Sequence, residues 1–356
     1  MDRRPRRPRP VTVADVARAA QVAKATAARA LGGYGAVSAQ VRERVLAAAR
    51  LLDYRANELA RTMATGRSGS IGVVVGDIEN PFFGLAVRGI SDAGKEAGFA
   101  VLLANSAESV AEEQAAVELL AAKGVDGLIV APAERQTGAH LADVLARGRP
   151  LTLLDREVAG VAADAAVVDG KAAALAATRH LLAAGHRRIA YVTATAAADW
   201  HYAGPEQIKL TSVLGRIEGF LAATGEAGLG ELERPVCLGA TDTARAQLIL
   251  AEILSSADSP TAVLASDSKI ALEVLRAAKS LHLSVPQQLS LVAFDDADWT
   301  SAIDPAVTVV AQPTYELGVA ATRMLLDRIA GHDGAPRRCV LEAGLIARDS
   351  VAAPGR

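Results

Sequence analysis

From Ser70 onward the chain repeats one pattern: a short, continuously apolar run, a turn, then a stretch with helical spacing. The apolar runs are Ile71–Val75, Phe99–Ala104, Gly127–Ala131, Pro150–Leu154, Arg188–Val192, Ala262–Ala265 and Leu289–Phe294. The helical stretches lie near 83–97, 110–122, 138–147, 213–223 and 268–281. Strands that are apolar on both faces belong to parallel sheets covered by helices on each side. The number of such units predicts an α/β core of two doubly wound parallel sheets. In that architecture ligands bind beyond the carboxyl ends of the strands, so the residues that follow each strand become the candidate site.

The first 69 residues obey a different rule. Residues 1–10 are rich in Pro and Arg and are expected to be a disordered basic tail. Thr12-Val-Ala-Asp15 has the spacing of a capping box, with a hydroxyl at the cap and a carboxylate three residues on. The helix it starts runs to about Ala20, and Gln21–Ala23 is a brief turn. A second helix runs from about Lys24 to Leu31. Ser38 caps a third, which continues to about Leu52 with Val41, Val45, Leu46, Ala49 and Leu52 as its apolar stripe. Three helices this short bury little, so 11–56 is expected to be an all-α head with helix-turn-helix spacing. Asn57 can cap one more short helix, and Thr65–Ser70 reads as a linker, so 57–69 joins the head to a core spanning 70–356.

Charge separates the same two parts. Residues 1–66 hold 13 Lys+Arg against 5 Asp+Glu, and the remainder holds 25 against 35. A basic head on an acidic body is the layout of a nucleic-acid binder whose body need not touch the polymer. Apolar residues make up 51% of the chain, which sets it apart from disordered sequences. No apolar run reaches eighteen residues, and no apolar segment follows the N-terminal arginines, so neither a membrane span nor a secretory signal is expected. Cys237 and Cys339 are isolated in sequence, which suits a reduced cytoplasm and gives no metal-type pair. Gly-x-Ser-x-Gly, phosphate-loop Gly-Lys-Ser/Thr, Cys-x-x-Cys and His-Glu-x-x-His are all missing. The expectation is a cytoplasmic, non-enzymatic protein without a cofactor.

Val11–Leu52 resembles the head of the LacI/GalR family of repressors through Thr12-Val-Ala-Asp15-Val16-Ala17, Val22, Thr26, Arg29, Leu31, Val37-Ser38 and Arg42-Glu-Arg-Val-Leu46. Tyr54-Arg-Ala-Asn57-Glu-Leu-Ala60-Arg61 continues the match, and the core resembles the ribose-binding kind of periplasmic binding protein almost to the C-terminus. The resemblance implies that Lys24–Leu31 is a recognition helix, with Lys24, Ala25 and Arg29 reaching bases. Chemistry agrees for Arg29 and Lys24, whose N–H groups suit guanine acceptors, whereas Ala25 offers only a methyl. Thr12, Thr26 and Asn57 complete the implied DNA-contacting set. By the same resemblance 57–65 is a hinge helix, with Met63 as an apolar wedge in the minor groove. Paired wedges need two copies, so a homodimer on near-palindromic operator DNA is implied. The sequence departs from the family at Gln21 (usually Gly), Ala23 (usually Ser), Ala27-Ala28 (often Val-Ser) and Ala56 (usually Pro). Ala23 cannot cap the recognition helix, a loss of about 1 kcal/mol.

In the core, Asn80-Pro81-Phe82-Phe83 follows the first strand, Asp155-Arg156 the run ending at Leu154, and Asp295-Asp296 the run ending at Phe294. Arg216 opens a helix and Gln312 follows Val309-Val310-Ala311. The resemblance implies that Asn80, Phe82, Phe83, Asp155, Arg156, Arg216, Asp295 and Gln312 contact an effector, either a monosaccharide or a sugar acid. Sugars present apolar faces and hydroxyl edges, so flat rings and charged hydrogen-bonding groups are the chemistry required. Asp155 with Arg156 also fits a structural ion pair. Ser266-Asp267 stands where family members often carry Asn-Asp, and Trp299 is expected to stack on the ligand. Residues 195–212, with Asp199-Trp200-His201-Tyr202 and Lys209, are longer than usual and fit either the mouth of the site or an exposed loop. One subdomain is expected over about 70–168 and 304–331 and the other over about 169–303 and 332–350, with crossovers near 166–170, 296–304 and 330–336. The functional expectation is a regulator, most simply a repressor, whose operator affinity an effector controls. The alternatives are an effector-independent dimeric regulator or a sugar-processing enzyme.

Overall fold

The computed structural model describes residues 11–32, 35–54, 67–197 and 199–355. The basic tail, Asn57, Met63 and most of the hinge segment lie outside the described residues. The chain divides into two compact units, 1–69 and 70–356.

The first unit holds α1 (Val13–Ala19), α2 (Lys24–Gly32) and α3 (Ala39–Leu51). The Asp15 carboxylate accepts from both the backbone N–H and the hydroxyl of Thr12, at 2.9 and 2.7 Å, which fixes where α1 starts. Ser38 caps α3 by accepting from the Val41 N–H. Val16, Ala17 and Ala20 meet Ala27 and Ala30 of α2 and Val45, Ala48 and Ala49 of α3 in a small core made mainly of alanines. Small residues let short helices approach closely, but they bury little apolar area each. Gln21, between α1 and α2, adopts a left-handed φ of 53°. That conformation is strained for any side chain and free for glycine.

The second unit is built from β1 (Ser70–Val75), α4 (Pro81–Glu96), β2 (Ala100–Asn105), α5 (Val110–Ala122), β3 (Gly127–Val130), α6 (Ala139–Ala146), β4 (Leu151–Leu154) and β5 (Asp164–Val168). There follow α7 (Gly170–Ala183), β6 (Ile189–Val192), α8 (Thr211–Glu226), β7 (Val236–Cys237), α9 (Thr243–Ser255), β8 (Ala262–Ala265), α10 (Ser268–Ser280), β9 (Ser290–Phe294) and α11 (Asp298–Ala302). The chain closes with β10 (Thr308–Ala311), α12 (Thr314–Ile329), β11 (Arg338–Leu341) and β12 (Gly344–Ile346). Two six-stranded sheets result, in the orders β11-β5-β4-β3-β1-β2 and β12-β10-β9-β8-β6-β7. All their pairings are parallel except β12 on β10. Both have helices on each face, the arrangement that continuously apolar strands require.

The two halves repeat one plan. In the first, α12 lies on α4, and Gly89 and Gly318 let the helix backbones touch: a Cβ on either would collide with the carbonyl of Tyr315 or Ala86. In the second, α7 lies on α8, with Gly219 against the Lys171 carbonyl. Asp164, fully buried at the start of β5, ties its half together by accepting from Arg328 of α12 at 2.6 Å and from Arg337 at 2.7 Å. Burial works against its charge, yet the two guanidiniums hold the carboxyl down at about 2.

Strand pairing corrects two of the expected crossovers. β10 pairs with β9, so 304–311 belongs to the second half, and β11 pairs with β5, so 338–341 belongs to the first. The chain therefore changes halves at 168–170, 311–314 and 341–344. The polar stretch after Phe294 is spent on α11 and a return to the same sheet, and the Gly/Pro-rich stretch at 331–336 turns α12 back onto its own sheet. Such residues mark a turn in the chain but not a change of sheet.

Gln21→Gly removes the left-handed strain in the head and is expected to stabilise it by about 0.5–1 kcal/mol, measured by urea unfolding of the intact protein followed by a probe in the head. An unchanged or lower midpoint contradicts the strained reading of this turn.

Candidate functional site

The carboxyl ends of both sheets carry polar residues that no core needs. In the second half, the guanidinium of Arg216, in the second turn of α8, is drawn across the ends of three strands. Its Nη1 donates to the Ser266 carbonyl after β8 at 2.7 Å, and its Nη2 donates to Gln312 Oε1 after β10 at 3.2 Å. Its plane lies 4.4 Å from the ring centre of Phe294, the last residue of β9. Gln312 passes the link on, donating from Nε2 to Asp295 Oδ1 at 2.6 Å. Asp295 follows β9 with a left-handed φ of 73°. Burial pushes its carboxyl up to about 6; Arg216 and the Gln312 amide pull the other way, while Asp267 and Asp155 add repulsion. Asp267 caps α10 by accepting from the Ile270 N–H, and its other oxygen accepts from the Ser266 hydroxyl at 3.0 Å.

In the first half, Asp155 follows β4 and, like Asp295, takes a left-handed φ, here 64°. The two aspartates sit at equivalent places in the repeated plan. Arg156 is buried beside Asp155, with 3.4 Å between Nε and Oδ2, and its plane lies 5.5 Å from the ring centre of Phe83. Its two terminal nitrogens grip Glu108 bidentately at 2.6 and 2.8 Å, and Nη1 also donates to the Pro132 carbonyl. Glu108 was not anticipated from sequence. Ala107 and Glu108 are both left-handed, and the Glu108 carboxylate lies over Gly76, where a side chain would collide with it.

The halves meet beside these residues. Lys269 of α10 reaches Asp77 after β1 at 3.0 Å. Residues 205–209 of the long segment are strapped to the first half: Arg135 donates to the carbonyls of Ile208 and Pro205 at 2.8 and 3.1 Å, and its backbone N–H to that of Lys209 at 2.7 Å. The Glu157 N–H donates to the Thr211 hydroxyl. The earlier part of the segment stays with its own half, since Trp200 packs on that half's core and stacks on His201 with ring centres 3.7 Å apart.

Asn80 caps α4, its side-chain oxygen accepting from the Phe82 N–H. Phe82 and Phe83 meet edge to face, with ring centres 5.3 Å apart, and are only 7% and 2% exposed. Both pack in the core of the first half, with the Arg156 guanidinium 5.5 Å from the ring centre of Phe83. Trp299, half-buried on α11, packs against the core of the second half, as does Ile303. Asp155, Arg156, Arg216, Ser266, Asp267, Asp295 and Gln312 are all brought to the strand ends.

In the head, Lys24, Ala25 and Arg29 are exposed on α2 while Ala27 and Ala30 face its core; Thr26 is half-buried and Thr12 is spent capping α1. The Arg29 stem lies against Gly35.

Residues 12–57 match the family model described as bacterial regulatory proteins, lacI family, and 178–351 match a periplasmic binding protein-like domain. The HTH-type transcriptional repressor CytR of Escherichia coli K12 is 31% identical over 327 residues, covering 91% of this chain and 92% of that one. The chain belongs to the LacI family. Among solved structures, this LacI-family chain matches the lac repressor dimer bound to operator and anti-inducer with a TM-score of 0.81 at 25% identity, over 97% and 100% of the two chains. It also matches a LacI family regulator from Enterococcus faecium with bound ribose, with a TM-score of 0.69 at 30% identity, over 80% and 99%. It is a DNA-binding transcription regulator and not an enzyme. No helix among the described residues is long and apolar enough to cross a membrane.

Because folding raises the Asp295 pKa above its unfolded value near 4, the folded state holds this proton more tightly, and stability falls as pH climbs from about 4 through about 6. Asp295→Asn keeps an acceptor for Gln312 but cannot ionise. It is expected to exceed the wild type in stability by about 2 kcal/mol near pH 7 and to match it near pH 4, read by urea unfolding at both. A gap that does not change with pH contradicts the account of this carboxyl.

Proposed function

We propose that this regulator is a sugar-responsive repressor acting in the cytoplasm as a homodimer on near-palindromic operator DNA. In this reading α2 enters the major groove, Lys24, Ala25 and Arg29 meet base edges, and Thr12, Thr26 and Asn57 assist at the backbone. Met63 wedges the minor groove from the hinge segment. A monosaccharide binds between the two halves of the core. Asp155 and Arg156 contact it from one side, with Arg216, Ser266, Asp267, Asp295 and Gln312 on the other and Asn80 at the rim.

The observation that carries the reading is the linked set Arg216–Gln312–Asp295 at the ends of β8, β9 and β10, opposite Asp155. Gln312 stands on a segment where the chain crosses between halves. A ligand that draws on this set therefore bears on the geometry of both halves. It controls the regulator through its different affinities for their open and closed arrangements.

Arg29→Ala is expected to weaken binding to an operator selected from random DNA by about tenfold or more, since a good base contact contributes about 1–3 kcal/mol. Asp295→Ala is expected to leave ligand-free operator binding intact and to abolish the response to the sugar. Both are read by fluorescence anisotropy with and without a monosaccharide panel. A response that survives in Asp295→Ala removes this site, and wild-type binding that no sugar shifts points instead to an effector-independent regulator.

A further inference from the structure

We propose that residues 205–211 are a latch: a strap from the second half that Arg135 of the first half holds shut, which sets how readily the core opens and thereby tunes operator affinity before any ligand binds. The proposal rests on the reading above that open and closed arrangements of the halves control the regulator.

The strap belongs to one half and is gripped by the other. Ile208 is only 1% exposed, and its side chain packs into the core of the second half. Its carbonyl accepts from Arg135 Nε at 2.8 Å, and the Pro205 carbonyl accepts from Nη2 at 3.1 Å. The Arg135 backbone N–H donates to the Lys209 carbonyl at 2.7 Å, and Glu206 lies 3.7 Å from Nη2. The planar fork of an arginine suits this grip on two separate carbonyls, and a lysine ammonium does not reproduce it. Before the strap, the Tyr202 N–H donates to the Val236 carbonyl and the Leu238 N–H to the Trp200 carbonyl, which ties 200–202 along β7.

The catch is braced in turn. The Arg135 carbonyl accepts from the Ala159 N–H at 2.8 Å, the Ala133 N–H donates to the buried Glu113 carboxylate, and a side chain on Gly138 would collide with Val158 and Val161. The loops after β3 and β4 thus hold Arg135 together, and Arg156 links the same two loops through the Pro132 carbonyl. At its other end the strap runs straight into α8. Thr211 is the first residue of that helix, its hydroxyl accepts from the Glu157 N–H at 2.9 Å, and Arg216 stands on the same helix. With Ile208 sunk in one core and Arg135 fixed in the opposite half, the bonds between them are where the halves part.

Hydrogen exchange of the intact protein, free of DNA and sugar, tests this at single amides. The Glu157 N–H shares no hydrogen bond with Arg135. In Arg135→Ala it is nevertheless expected to exchange at least about tenfold faster, as the loss of hydrogen bonds from a charged donor releases the whole strap. The Tyr202 and Leu238 N–H groups are expected to keep their wild-type rates. Thr211→Val, which removes the acceptor from the other side and keeps the side chain's shape, is expected to speed exchange of the Arg135 N–H several-fold. Both variants are expected to bind an operator selected from random DNA with an affinity that differs from wild type by about fivefold or more, with no sugar present. A Glu157 N–H that keeps its protection in Arg135→Ala shows separate contacts and overturns the latch. Faster exchange at Tyr202 and Leu238 as well shows the segment unfolding from its own half and overturns it too. Amides that open while operator affinity stays within about twofold overturn the regulatory role. A sugar that shifts operator affinity in the wild type keeps the sensor reading standing whatever these variants do.

Discussion

The Arg216 guanidinium joins parts of the chain that are far apart in sequence. It starts from α8, holds the end of β8 through a backbone carbonyl, covers the end of β9 through the Phe294 ring, and reaches β10 through Gln312. A buried guanidinium draws on nearby acceptors; Nη1 and Nη2 of Arg216 have theirs at the strand ends, while its buried Nε has no partner among the described residues. Gln312 then orients Asp295. These residues hold one another in place, so a change at any one of these bonds disturbs the rest. Such a set suits a sensor, because a change at one atom is felt at a crossover between halves.

The first half answers with a different device at the equivalent position. Arg156 is buried there too, over a ring, but its terminal nitrogens bind Glu108, with only Nη1 also reaching a strand-end carbonyl, that of Pro132. The repeated plan thus supplies two arginines and two left-handed aspartates, and local neighbours decide what each can still do. Around them, the Arg135 strap and the Lys269–Asp77 pair join the halves through hydrogen bonds and two ion pairs, Arg135–Glu206 and Lys269–Asp77. Exposed pairs contribute little stability, about 0–1 kcal/mol. Contacts of that size favour one arrangement of the halves without locking it, as a regulator needs.

The parallel sheets were legible because strands buried on both faces must be apolar throughout, and the candidate residues were legible because ligands collect at strand ends. Asp155, Asp295 and Gln312 stand where that rule points, and the family resemblance supplied the role expected of them. Glu108 was not, since two consecutive left-handed residues, Ala107 and Glu108, form a turn with no glycine to mark it. Arg135 was missed because its partners are backbone carbonyls, which leave no trace in sequence. Phe82, Phe83 and Trp299 were assigned to the ligand on the family resemblance and on chemistry that a core also uses, and all three pack against the cores of their halves. The crossovers at 311–314 and 341–344 were misplaced because a turn signal fixes where the chain bends and not which sheet it joins next. In the head, Gln21 was recognised as standing where a relative has glycine, and the left-handed backbone supplies the reason.

Regulation requires that DNA and effector sense one another through the same equilibrium, and this linkage is reciprocal. The most direct test is the affinity of the intact protein for its tightest-binding sugar, measured by titration with and without saturating operator DNA. The account predicts that operator changes the sugar affinity by the same factor by which the sugar changes operator affinity, about 5–150-fold for couplings of this kind. Equal sugar affinity in the presence and absence of operator would show that head and core bind independently, and would contradict it.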